Sequence, residues 1–176
     1  IETLDPESLE KANKKFNRVD EYYSRLKKFR DAGISVSANM IFGFDNDTPE
    51  TFERTYKFIE KALVYANPYI LTPYPGTRMY RELESEGLLL HKDWSKYTAY
   101  QQVIKHPSLD RDTMESLFWE TYDRMYSPWL NFKRMFNRRP VSYLSPADWY
   151  LQTRIFFYNA TFVSRGFISK RLPPYF

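Results

Sequence analysis

Ile34-Ser35-Val36-Ser37-Ala38-Asn39-Met40-Ile41-Phe42-Gly43-Phe44-Asp45-Asn46-Asp47-Thr48-Pro49-Glu50 carries the change of rhythm on which the fold turns. Ile34, Val36, Ala38, Met40 and Phe42 alternate with Ser35, Ser37, Asn39 and Ile41, which predicts a strand over 34–42 with one apolar and one mostly small or polar face. Gly43 follows as a turn residue. Thr48, Pro49 and Glu50 then read as an N-cap, a first-turn proline and a first-turn acid. The helix they start places Phe52, Tyr56, Ile59 and Leu63 on one stripe and is expected to end near Asn67-Pro68, with an extended segment restarting over Tyr69 to Thr72. Strand, amphipathic helix, strand is the unit that joins parallel strands in a helix-covered sheet. In such sheets, loops at the carboxyl ends of strands gather ligands, which points to residues 43–48 and 73–77.

Outward from this unit the pattern repeats. Ile1 to Leu4 reads as the end of an earlier strand, Asp5-Pro6-Glu7 starts a helix expected to reach about Lys15, and Val19 starts another that carries Tyr22, Leu26 and Phe29 and stops at Gly33. Downstream, Met79 to Glu86 is a short helix closed by Gly87, followed by an irregular stretch with Trp94, Tyr97 and Tyr100. A helix from Ser108-Leu109-Asp110 carries Met114, Leu117, Phe118, Tyr122 and Met125. It breaks near Pro128, a further segment runs to Phe136, and a last helix after Ser145-Pro146 is expected to reach about Phe162. The expected fold is therefore α/β: part of a (β/α) barrel over residues 1–90 and a mostly helical, aromatic-rich extension over residues 91–176. Two strands and part of a third close no barrel, so the front half is expected to need an amino-terminal partner.

At 176 residues and 43% apolar composition the chain suits one domain, or a domain with an arm. It starts at Ile1 without an initiator methionine and reads as a fragment, with no signal peptide and no apolar run of membrane-spanning length. The absence of cysteine removes disulfides, thiolate metal sites, iron–sulfur ligation and cysteine nucleophiles from anything the chain does alone. Charge is uneven: residues 1–100 hold 15 Lys and Arg against 16 Asp and Glu, and residues 101–176 hold 11 against 6. Basic residues interleave with aromatics in Phe132-Lys133-Arg134-Met135-Phe136 and Arg154-Ile155-Phe156-Phe157-Tyr158. The first reading of this tail is packing of the extension onto the sheet; an anionic membrane surface is the second and nucleic acid the least favoured.

On residue type alone, Asn39 and Ile41 lie on the less apolar strand face beside a close-approach glycine, Gly43. A ligand pocket and an ordinary tight turn with a satisfied asparagine both fit that arrangement. Pro73-Tyr74-Pro75-Gly76-Thr77 is a rigid loop with an N-cap. His91 and His106 read as loop residues, and Asp45 and Asp47 as turn-forming or capping residues too few to hold a cation. A small hydrolase or transferase lacks a nucleophile paired with a base.

Ile1-Glu2-Thr3, Ser8-Leu9, Asn13-Lys14-Lys15, Ala32-Gly33-Ile34, Met40-Ile41-Phe42-Gly43-Phe44, Asp47-Thr48-Pro49-Glu50-Thr51 and Leu71-Thr72-Pro73-Tyr74-Pro75-Gly76-Thr77, in that order, resemble the second half of a radical S-adenosylmethionine domain. The similarity is strongest to the class with an amino-terminal cobalamin-binding domain and covers roughly residues 1–135. It implies a partial barrel in which a four-iron, four-sulfur cluster on three cysteines cleaves S-adenosylmethionine to a 5′-deoxyadenosyl radical, with cobalamin as an implied further cofactor. By the same resemblance Glu2 lies near the ribose or amino group of S-adenosylmethionine, Asn39, Ile41 and Gly43 pack on its adenine, and Leu71 and Thr72 meet the adenine edge. The family pattern often has Gly and Glu where this chain has Asn39 and Asn46. The cluster cysteines lie upstream in the family, so the implied partner is the amino-terminal half of the same polypeptide, and the chain alone is expected to be inactive. The implied substrate is a small or lipid-like molecule and the implied compartment is the cytoplasm, with membrane association left open. A non-catalytic module binding a membrane or protein through the basic aromatic tail is the alternative.

Overall fold

The computed structural model describes residues 1–136 apart from Lys15, Gly33 and Ser35. The helix expected over Ser145 to Phe162 and the basic aromatic run around Arg154 lie outside them, as does the stop expected at Gly33. Six helices and two strands follow in the order α1 (Pro6–Lys11), α2 (Val19–Asp31), β1 (Ser37–Phe42), α3 (Pro49–Ala62), β2 (Tyr65–Ile70), α4 (Arg78–Ser85), α5 (Arg111–Met125) and α6 (Pro128–Phe136). The described residues are α/β, as expected from sequence, with a small sheet of two parallel strands.

Local chemistry sets most boundaries. The Asp5 carboxylate accepts the Ser8 amide at 3.0 Å and caps α1. That helix ends at Lys11, short of the expected Lys15, because Asn13 turns left-handed at φ 56° and the Lys14 amide closes onto the Leu9 carbonyl at 2.8 Å. The Thr48 and Thr51 side chains form the reciprocal capping box of α3. α3 stops at Ala62, where Leu63 takes φ 54°, and β2 starts at Tyr65, four residues ahead of the expected extended segment. Pro68 is tolerated inside β2 because of its phase. The Tyr65 and Leu71 amides point to β1, onto the Val36 and Phe42 carbonyls, whereas the Ile70 amide points outward to Ala99. Pro68 shares the outward phase, so its missing N–H removes no β1–β2 bond.

β1 and β2 pair in parallel with Asn39 opposite Asn67 and Ile41 opposite Tyr69. On the far side of β1 the Ile41 amide donates to the Glu2 carbonyl at 2.7 Å, but residues 1–4 form no strand, so the strand end read from sequence is reduced to this backbone contact. β1 begins at Ser37; Ile34 is exposed, and so is Phe29 on α2 despite its place in the apolar stripe. One sheet face is sealed. Ala38, Met40, Phe42, Ala66 and Ile70 meet Phe52 and Ile59 of α3 and Met114, Phe118 and Met125 of α5 in one core. Phe42 stacks on Phe52 at 4.4 Å and meets Phe118 edge-on at 6.2 Å. α4 belongs to a smaller cluster of Tyr80, Tyr97 and Val103, beside an antiparallel bridge between Leu89 and Ile104.

The extension also closes the outer edge of β2. The Tyr126 hydroxyl donates to the Ala66 carbonyl at 2.6 Å. Arg134 is buried, donates to the Met125 carbonyl at the end of α5 at 2.8 Å and lies over the Tyr65 ring. Burial pushes its guanidinium down to about 10. Of the interleaved aromatics, Trp129 is 63% exposed and stacks on Phe132, with the Lys133 ammonium over its ring. That end of α6 therefore leaves its tryptophan outside the core. Among the described residues no helix is long and apolar enough to cross a membrane.

Candidate functional site

The sheet face left open by the described residues carries Ser37, Asn39 and Ile41 from β1 and Asn67 and Tyr69 from β2. Alternation forces this: with Ala38, Met40 and Phe42 in the core, the residues between them face away from it. The Asn67 amide donates to Asn39 Oδ1 at 3.2 Å and to Ser37 Oγ at 3.0 Å. Its own oxygen lies 3.2 Å from the Tyr126 hydroxyl. Asn39 is thus held in a polar ladder across the register. Ile41, one pleat nearer the strand end, is a half-buried apolar residue on the same face. Opposite it, Tyr69 leads through Tyr100 at 6.0 Å to Trp119, which stacks on Tyr100 at an interplanar angle of 17°. Burial pushes the Tyr100 phenol up.

At the carboxyl end of β1 the chain turns at Gly43 with φ +98°, a conformation that side chains rarely adopt. The next five residues form a clamped loop. Asp47 Oδ2 accepts the Gly43 amide at 2.7 Å and the Phe44 amide at 3.1 Å, while the Asp47 amide returns to the Phe44 carbonyl at 2.8 Å. Asp47 is 1% exposed and its second oxygen, Oδ1, has no hydrogen-bond partner. Burial pushes this carboxyl up to about 6, against the opposing pull of the two amides. Its hydrogen bonds close the Gly43–Asp47 turn, the turn-forming one of the two roles that sequence suggested.

Of the residues singled out by resemblance, Asn39 lies in mid-strand and the others lie toward one end of the sheet, with differing engagements. Leu71 bonds back to the Phe42 carbonyl at 2.7 Å, and a Cβ on Gly43 would sit 3.6 Å from its side chain. The Thr72 hydroxyl donates to the Ile70 carbonyl at 3.0 Å. Glu2 adjoins β1 through its carbonyl, and its carboxylate pairs with Lys14 at 3.2 Å. In the Pro73–Thr77 loop the Thr77 hydroxyl accepts the Tyr80 amide at 3.2 Å, leaving Tyr74 exposed. Sequence reading missed Asn67, which a correct β2 register would have placed opposite Asn39. It also missed Tyr126 and His106, which carry no local signal.

Replacing Gly43 by alanine is expected to cost about 1–2 kcal/mol, because φ +98° strains any side-chain-bearing residue. Chemical denaturation of the protein checks this, and a change below about 0.5 kcal/mol would contradict it.

No protein-family model matches the chain. Over 136 residues it is 29% identical to bacteriochlorophyllide d C-12(1)-methyltransferase of Chlorobaculum tepidum, covering 77% of this chain and 29% of that protein. It is 30% identical over 129 residues to the C-8(2)-methyltransferase of the same organism, covering 72% and 29% respectively. Hopanoid C-2 methylase of Rhodopseudomonas palustris is 29% identical over 135 residues, or 76% of this chain and 24% of the relative. The chain thus spans less than a third of the length of these relatives. In α/β sheets ligands gather outside the carboxyl ends of the strands, the place where this chain has its glycine-turned, clamped loop. With the motif series from Ile1 to Thr77 and these relatives, the chain belongs to the radical S-adenosylmethionine superfamily, a family of enzymes.

The residues present fit one of the groups that this membership implies and not the other. The chain has no cysteine, and among the described residues no cluster of three His, Asp or Glu could hold a metal. The thiolate ligands of an iron–sulfur cluster do not come from this chain. S-adenosylmethionine does fit: Ile41 offers an apolar contact on a polar face, next to the unsubstituted Gly43 and the Leu71 strand end.

Proposed function

We propose that the whole protein is a radical S-adenosylmethionine methyltransferase acting on an apolar, ring-built substrate, with cobalamin as methyl carrier, in the cytoplasm. In that enzyme the described residues form the S-adenosylmethionine-facing end of the barrel sheet. The observation that carries the reading is the convergence of Ile41, Gly43 and Leu71 at one strand end, with Asp47 clamping the turn between them. When bound, the cluster supplies the electron that cleaves S-adenosylmethionine homolytically. Ile41 would hold the adenine by apolar contact, Gly43 would let the ring approach the backbone, and Leu71 would close its edge. The Asn39–Asn67 ladder fixes the polar floor beside them. The methyl-transfer part of the reading is supported by relatives named for methylating bacteriochlorophyllides and hopanoids. The Tyr69–Tyr100–Trp119 run supplies a wall on which a ring-built substrate can stack. The cluster cysteines belong to the amino-terminal half of the same polypeptide.

In the full-length protein, reconstituted anaerobically, Ile41→Asp is expected to weaken S-adenosylmethionine binding at least tenfold, about 1.4 kcal/mol or more, with helical circular dichroism unchanged. Equal affinity in variant and wild type would remove Ile41 from the site. A wild-type protein that takes up neither cluster nor S-adenosylmethionine would overturn the reading.

A further inference from the structure

His106 belongs to the extension, 62 residues on from Phe44 of the Gly43–Asp47 loop, yet it is bonded into that loop. Its Nε2 lies 2.8 Å from the Phe44 carbonyl. Its other nitrogen, Nδ1, faces two backbone donors, the Ser108 amide at 3.2 Å and the Leu109 amide at 3.1 Å. Two N–H groups aimed at Nδ1 require a lone pair there, so the proton sits on Nε2 and is donated to Phe44. The same turn makes a second contact, with the Ser108 hydroxyl 3.4 Å from the Asp47 carbonyl. The Phe44 carbonyl thereby receives both the Asp47 amide from within the loop and the imidazole from outside it. Beneath lies a cleft of about 40 Å³ lined by Gly43, Leu71, Gln102 and His106, where extension and strand ends meet.

We infer that His106 is a positioning residue: its Nε2–H latches the Phe44 carbonyl and so holds the Phe44–Asp45 peptide, one residue beyond Gly43, in place for S-adenosylmethionine, making the cofactor-facing loop depend on the docked extension. The inference rests on the reading of Gly43 as an S-adenosylmethionine neighbour. The Asp47 carboxylate holds the Gly43 and Phe44 amides and the Asp47 amide holds the Phe44 carbonyl from inside the loop, so the imidazole adds to that carbonyl a second hold anchored outside the loop. A histidine whose second nitrogen is fixed by its own backbone turn is a stiff arm for that purpose, because the imidazole cannot swing away without orphaning two amides.

Two substitutions separate the latch from the cap. His106→Asn retains an acceptor near the position of Nδ1 but falls short of Phe44; His106→Gln retains a donor near the position of Nε2 but loses the cap. In the full-length reconstituted protein, His106→Asn is expected to weaken S-adenosylmethionine binding about tenfold and to speed amide exchange at Gly43 and Asp47, while His106→Gln stays within about twofold of wild type in both. A merely structural histidine would give the opposite order, with Asn rescuing and Gln failing, and that result, or equal behaviour of both variants, overturns the latch. Faster exchange in His106→Asn with unchanged affinity also overturns it as a determinant of cofactor binding. Absence of S-adenosylmethionine binding by the wild type defeats the underlying reading and the inference together, and is distinguishable because it needs no variant.

Discussion

Replacing Phe118 by alanine is expected to destabilise the protein by about 3–5 kcal/mol, the largest effect of any single change considered. Phe118 is fully buried and lies where the two halves of the described chain meet. Its ring meets Phe42 of β1 edge-on and contacts Tyr100, Trp119 and Tyr122 around it, with centroids 5.0 to 6.3 Å apart. Removing it opens a cavity between sheet and extension that neither α3 nor α5 can collapse into, because Phe52 and Met114 are themselves held in the same core. The damage would also reach the site, since α5 carries Trp119 and follows directly on the His106 turn. Equilibrium unfolding checks the prediction, with Trp119→Ala, at a partly exposed neighbour, as the milder comparison. A loss below about 1 kcal/mol at Phe118 would mean that α5 does not dock on the sheet as described.

Asp47 should reveal itself through pH. Burial raises its folded carboxyl to about 6, against 3.8 for an unperturbed side chain. The folded state therefore binds the proton more tightly than the unfolded state, and between pH 4 and 6 this group makes stability fall as pH rises. Above pH 6 its contribution is flat. A two-unit difference corresponds to about 3 kcal/mol across that window. Asp47→Asn keeps an oxygen for the Gly43 and Phe44 amides and has no charge to bury, so its stability relative to wild type is expected to improve by about that amount between pH 4 and pH 7. Titrating groups not coupled to Asp47 are common to both proteins and cancel in the comparison, so the difference reports Asp47 together with its neighbours Asp5 and His106. Parallel stability curves for the two proteins across that range would show that Asp47 is not a buried carboxylate.

Much of the fold was legible because it rests on neighbours in sequence. Thr48-Pro49, Thr77 and Asp110 start helices where read, since a capping side chain acts within three residues. The alternation around Met40 and Phe42 assigned the core face correctly for the same reason. Errors arose where a distant partner decides. Pro68 argued for a late start to β2, but which edge an amide faces depends on the neighbouring strand. Phe29 fits the apolar stripe of α2 and still lies 49% exposed, because periodicity states which face is apolar and not whether anything covers it.

At the candidate site the division is the same. Sequence singled out Asn39, Ile41, Gly43, Leu71 and Thr72 by motif order, and the sheet register sets Ile41, Gly43, Leu71 and Thr72 near one end with Asn39 in mid-strand. It did not reveal that Thr72 spends its hydroxyl on Ile70, that Asn67 and Tyr126 hold Asn39, or that His106 reaches Phe44. By itself the sequence determined the α/β alternation, the helix starts, the glycine turn and the absence of any thiolate for a cluster. Only the tertiary structure decided which groups meet across sixty residues of chain. Hydrogen bonds between backbone and distant side chains depend on packing geometry, and no local pattern encodes that.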